Sequence, residues 1–161
     1  MRTGTWLSPV RIINTELLGI KLEIVSDNPI SNPNLTITIG LHMEHAEKQD
    51  DLNLGKCALE FKGVWHEPDN SESVSFIVDC KVGITIGIQD SSFEEGYPVD
   101  RIGRYIDTNA VSLAYGQIRS HVEYITSQSP FGKQVIPAID PISLLDSLIK
   151  DESHSSDDQK D

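Results

Sequence analysis

The stretch VSFIVDCKVGITIGIQ, residues 74–89, decides the fold. Every even position in it is apolar: Val74, Phe76, Val78, Cys80, Val82, Ile84, Ile86 and Ile88. Successive side chains of an extended strand point to opposite faces, so a period of two builds one strand with a continuous apolar face. The same alternation occurs three times upstream. Leu18, Ile20, Leu22 and Ile24 alternate with Gly19, Lys21 and Glu23. Leu35, Ile37, Ile39, Leu41 and Met43 alternate with Thr36, Thr38, Gly40 and His42. Cys57, Leu59, Phe61 and Trp65 alternate with Lys56, Glu60, Lys62 and His66. Four half-apolar strands predict an antiparallel sheet covered on one face and wetted on the other.

The segments between these runs carry turn chemistry. Residues 26–34, SDNPISNPN, hold two prolines and three asparagines and read as an extended loop. Residues 67–73, EPDNSES, read as a hairpin-like turn. Residues 44–54 set Glu44, Glu47, Asp50 and Asp51 against Lys48, a solvated acidic loop. Gly83 and Gly87 predict a bulge or bend late in the fourth strand.

Downstream the period changes. Val111, Tyr115, Ile118, Val122 and Ile125 are spaced four, three, four, three, one stripe of an amphipathic helix over 109–127. Asp107, Thr108 or Asn109 is placed to cap its start, and Ser129-Pro130 with Gly132 to end it. An apolar connection follows from Phe131 to Ile139. Asp140 then caps a second helix with Pro141 at its first position and Ile142, Leu144, Leu145, Leu148 and Ile149 along it. The expectation is an α+β fold: a four-stranded antiparallel sheet, one long helix and one short C-terminal helix. Residues 1–150 form a single domain, and residues 151–161, DESHSSDDQKD, form a disordered acidic tail.

The helix stripe has two readings: an intramolecular helix-on-sheet core, or part of an interface between copies of the chain. The apolar positions Leu35, Ile37, Ile39, Phe131, Val135, Ile136, Ile139, Leu144, Leu145 and Leu148 have two readings as well. They are ordinary core, or part of them stays open as a groove for extended apolar peptide.

The 161 residues suffice for one domain with a real core. The net charge of −12 disfavours nucleic acid and anionic membrane surfaces and favours a basic protein partner. The first ten residues, MRTGTWLSPV, lack the apolar core of a signal peptide, and no run approaches the ~18 apolar residues that span a bilayer. The expected location is cytoplasmic, with no membrane insertion. Cys57 and Cys80 stand in apolar strand patterns without a CxxC and read as buried small hydrophobes.

The chemistry-bearing motifs are sparse. His42 and His45 are three apart at a strand end leading into a polar loop, where no HExxH occurs. Gly83 and Gly87 precede no Lys-Ser or Lys-Thr, so they cradle no phosphate. No GxSxG is present, and the adjacent pairs Glu94-Glu95 and Asp50-Asp51 have nothing to desolvate them. The expectation is a binding protein with no catalytic residues, no metal and no cofactor.

Several local strings are similar to the SecB family of export chaperones. Leu22-Glu23 before Asp27-Asn28-Pro29 resembles the family's F-E-A-P-N-A-P, and Phe76-Ile77-Val78-Asp79-Cys80 resembles its F-L-C-E-V. Residues 83–88, GITIGI, resemble its G-I-F-S-I-A-G-I, and Arg119 sits where the family has P-Y-A-R-E. Ser129-Pro130-Phe131 followed by Ile136-Pro137 and Asp140 resembles G-T-F-P-Q-L-N-L-A-P-V-N-F. The likeness runs over about residues 10–150. It implies an ATP-independent holdase that keeps preproteins unfolded and delivers them to the SecA motor. It implies a homotetramer, a dimer of dimers, with Val111, Tyr115, Ile118, Val122, Ile125, Cys80 and Val82 at the interfaces, and clients held along the apolar positions named above. It implies a SecA-type face at Glu23, Ile77 and Asp79. The family has an acid four residues before the Glu23 position, where this chain has Gly19. A second branch of the fold guards the antitoxin of a toxin–antitoxin system, which makes an antitoxin the alternative client.

Overall fold

The alternating segments form one antiparallel sheet of four strands: β1 (Arg11–Ile24), β2 (Asn34–His45), β3 (Leu52–Glu67) and β4 (Asn70–Gln89). A 3-10 turn at Asp90–Ser92 precedes the long helix α1 (Val99–Ser127), and α2 (Pro141–Ser155) closes the chain. The computed structural model describes residues 10–28, 30–45, 48–93, 95–96 and 98–155, without the side chains of 45 and 149–155. The N-terminal segment 1–9, Glu94 and the end of the acidic tail, 156–161, lie outside the described residues.

Strand order across the sheet is β1-β4-β3-β2, so β1 and β2 are the two edges. The long apolar strand β4 sits inside, between β1 and β3. Its even positions Phe76, Val78, Cys80, Val82, Ile84, Ile86 and Ile88 are at most 3 % exposed, as expected of the face under a cover. Cys57, Leu59, Phe61 and Trp65 of β3 complete this floor.

α1 is the cover. It packs across β3 and β4 and scarcely reaches β1. Ile106, Ala110, Val111, Ala114, Tyr115, Ile118, Val122 and Thr126 face the sheet and are buried. Close approach needs room, and Gly55 of β3 supplies it. A Cβ there would stand 2.2 Å from Ile106 Cγ2.

Four expectations are corrected. α1 begins at Val99, about ten residues early, so Asp107, Thr108 and Asn109 lie inside the helix and cap nothing; Pro98 precedes its first turn. Ile102, Ile106 and Ala110, four apart, are the helical signal in that extension. The β3–β4 turn is only Pro68-Asp69, with strand on either side. The register shifts of the β1–β4 pair fall on β1, between Ile12 and Asn14 and between Leu17 and Gly19. Gly83 is not itself the bulge; it leaves space for Leu18, whose Cδ1 would be 3.3 Å from a Cβ there. α2 runs on to Ser155, into the acidic segment read as disordered from residue 151. Its start is as read: Asp140 Oδ1 accepts from Ile142 N at 3.1 Å and Oδ2 from Ser143 Oγ at 2.6 Å.

Gly55→Val overpacks the seam between α1 and β3. Urea unfolding is expected to show a loss of about 1–3 kcal/mol. Gly55→Val with Ile106→Ala is expected to lose less than the sum of the two single changes. Additive losses would show that the two sites do not touch.

Candidate functional site

One helix covers the two central strands and leaves the apolar rows of both edges half open. On β2, Leu35, Ile37, Ile39, Leu41 and Met43 are partly buried and pack against the core from one side only. On β1, Ile12, Ile13, Leu17, Leu18 and Ile24, with Val25 just past its end, are 42–54 % exposed.

The connection from α1 to α2 is a strap fastened at three points. Phe131 stacks on Phe76 (centroids 4.4 Å apart, 19° between planes), and Phe76 stacks on Trp65 (4.6 Å, 14°). The buried Thr126 hydroxyl donates to Val122 O at 2.7 Å and accepts from Gln134 N at 2.9 Å. Tyr115 Oη donates to Pro137 O at 2.8 Å. α2 is tied back to α1 by Arg104, whose Nη2 reaches both Asp146 oxygens at 2.9 and 3.1 Å.

These fastenings sort the predicted groove residues. Ile136 and Leu145 are 0 % and 2 % exposed and belong to the core, because the strap and α2 press them inward. Leu35, Ile37, Ile39, Phe131, Ile139, Leu144 and Leu148 are half-buried, and Val135 is 60 % exposed. The half-open set is therefore the β2 row with parts of the strap and α2. The predicted interface stripe goes the other way. Val111, Tyr115, Ile118, Val122, Cys80 and Val82 are at most 3 % exposed, closed against one another within the chain; Ile125 is half-buried. The stripe is an intramolecular seam, since each of those side chains already meets the opposing layer.

The face of the sheet away from α1 holds the predicted SecA-type positions together: Glu23 lies opposite Ile77, and Asp79 opposite Lys21. The face is not acidic. Glu16, Glu23, Glu44, Glu60 and Asp79 share it with Lys21, Lys56, Lys62 and Lys81. Lys21 Nζ lies 2.7 Å from Glu23 Oε2, which holds the Glu23 carboxyl below its usual value, and Lys81 pairs with Glu60. A concavity of ≈ 710 Å³ crosses this face, with Gly19 and Gly40 at either end of the Lys81–Glu60 row. The charge of −12 lies mostly elsewhere.

Sequence reasoning missed the β1 edge and the Arg104–Asp146 tie. The doublets Ile12-Ile13 and Leu17-Leu18 break the period of two and were the available signal for the first; two charges 42 residues apart carry no local signal for the second. Of the histidine pair, the His45 side chain lies outside the described residues, and His42 Nε2 lies 3.4 Å from Glu44 Oε1 in an exposed contact. Among the described residues no group of three or more His, Cys, Asp or Glu could hold a metal, and no helix is long and apolar enough to cross a membrane.

A four-stranded antiparallel sheet in this order, with a long helix over its centre and a short helix returning by an apolar strap, is the SecB-like fold. Among solved structures, the chain is similar to the SecB-like chaperone Rv1957 of Mycobacterium tuberculosis, in complex with a ChAD peptide from the HigA1 antitoxin Rv1956. The TM-score is 0.50 and the identity 14 %, covering 81 % of this chain and 90 % of that one. A Streptococcus agalactiae protein of unknown function matches with TM-score 0.47 and 12 % identity, over 81 % of this chain and 97 % of that one. No protein-family model and no curated protein matches.

The cysteines are buried and free. Cys57 lies opposite Ile84 and Cys80 opposite Phe61, so they stand on different rungs of the sheet. Burial pushes the Cys57 thiol up to about 12 and the Cys80 thiol up to about 11. Both thiols are expected to resist a thiol reagent at pH 8 and to react at once in denaturant. The unfolded chain releases these protons near the usual 9.0 and the folded chain only at higher pH, so the thiols' contribution to stability falls as pH rises from about 9 to about 12. Rapid labelling of the folded protein at pH 8 would contradict the placement.

Proposed function

We propose that this chain is an ATP-independent chaperone that holds a segment of one aggregation-prone polypeptide, an antitoxin of a toxin–antitoxin system being the client class, and that it makes and breaks no bond. The observation that carries the reading is the half-open apolar row of β2, together with the exposed Val135 of the strap. An extended client laid along an edge strand gains backbone hydrogen bonds from the edge and apolar burial from alternate side chains. Burial is worth ~25 cal/mol per Å² whatever the client's sequence. Ordering the client removes much of that gain, which keeps binding reversible.

The antitoxin rather than the exported preprotein is favoured on two grounds. The similar structure with the same fold is one that holds an antitoxin peptide. The open sheet face, where a SecA-type contact would fall, is balanced by four lysines instead of acidic. In an assembly of four chains the separate rows would act together, strengthening a client contact that is weak at each site. The acidic remainder of the surface would draw basic segments of a client toward the protein and speed capture.

The test is aggregation of a chemically unfolded antitoxin, followed by light scattering with and without the protein and without ATP. Suppression by the wild type is expected. Ile37→Asp with Val135→Asp is expected to weaken it at least tenfold, since each buried apolar side chain contributes about 1.5–3 kcal/mol. Far-ultraviolet circular dichroism of the double variant should match the wild type. Full suppression by that folded variant would remove the β2 row from the site.

A further inference from the structure

Of the lysines and arginines whose side chains are described, Arg119 alone is not exposed. Its Nε is shut off from solvent and has no hydrogen-bond partner. A buried donor left unpaired costs free energy, and more so on a charged group, so such an atom needs a reason. The chain's own packing supplies no counter-charge. Among the described residues Arg119 makes no ion pair. The acids nearest to it around the strap are committed elsewhere. Glu123 Oε2 lies 2.8 Å from Lys133 Nζ, and Asp140 caps α2.

The fastenings of the strap locate this cation. Tyr115 holds Pro137, Glu123 pairs with Lys133, and Thr126 holds Gln134, so the strap runs antiparallel to the second half of α1. Residues four apart on a helix share a flank. Arg119 is four residues from Tyr115 and four from Glu123. That places it abreast of Val135 and Ile136, between the fastenings. Ile136 is turned into the core, while Val135 is exposed. The strap thus sets an open apolar side chain and a half-buried, unpaired cation at the same level of α1.

We propose that Arg119 binds a carboxylate of the client. The segment held at the strap then carries an aspartate or glutamate close to the apolar side chain that packs on Val135. This rests on the client-holding role proposed above and adds the chemistry that selects the segment. Apolar burial alone accepts any apolar run. A guanidinium offers a planar fork that a carboxylate fills with two hydrogen bonds, and a pair drawn below the surface is weakly screened by salt. The surface as a whole gives the opposite preference, because a chain of net charge −12 repels acidic segments.

Fluorescence polarisation tests this on the full chain, with two labelled peptides of alternating leucine and serine. They are identical except at one central residue, aspartate in one and asparagine in the other. The wild type is expected to bind the aspartate peptide about tenfold more tightly, against the order that net charge alone would give. Arg119→Gln is expected to bind the two alike. Arg119→Met removes the buried unpaired donor and gives the same reading should Arg119→Gln fail to fold; circular dichroism checks both variants. Equal binding of the two peptides by the wild type, or a preference for asparagine, overturns the inference and leaves the client-holding role standing. A preference for aspartate that survives in a folded variant assigns the carboxylate to another cation and overturns it too. Failure of the wild type to bind either peptide contradicts the client-holding role, and the inference with it.

Discussion

A helix with its side chains is about 10–12 Å across, while four strands spaced about 4.8 Å apart make a sheet nearly twice as wide. That mismatch governs this molecule. α1 is the only long helix among the described residues, and it settles over β3 and β4, where the apolar floor is deepest and Gly55 lets Ile106 come close. The two edge strands still carry apolar rows on the same face. The strap and the short α2 return along α1, and the edges stay half open.

The two edges differ in character. β1 carries exposed apolar residues along most of its length, and its pairing with β4 is broken by two register shifts. β2 is regular, with small polar threonines on the open side and a graded apolar row on the other. Nothing in that row selects a particular sequence. The strap between α1 and α2 is fixed by Thr126, Tyr115 and the three-ring stack, and its Val135 is exposed.

What could be read in the sequence tracks what is local. The period of two in Val74–Gln89 and its three upstream counterparts reports burial on one face, and the sheet follows. Asp140-Pro141 is a local helix start and stands as read. The first ten residues of α1 were illegible because Gly103, Arg101 and Arg104 dilute their apolar spacing, and the sheet beneath holds Ile106 in place. The site was legible only in part. An apolar residue looks the same in sequence whether tertiary packing shuts it, as at Ile136 and Leu145, or leaves it half open, as at Ile37 and Ile139. The helix stripe shows the same limit: four-three spacing reports one apolar face, and only the fold shows that its partner is the chain's own sheet. Charge is legible in total but not by face, which is why a chain of net charge −12 has a nearly neutral open sheet.

The central claim is that the uncovered row of β2, with the strap, receives another polypeptide. Amide hydrogen exchange with and without an unfolded antitoxin, in the absence of ATP, tests it most directly. The account predicts new protection in Leu35–Met43 and in residues 131–144, with the Glu60 and Lys81 region of the open face unchanged. Protection confined to the open face, or none at a client concentration where aggregation is suppressed, would contradict it.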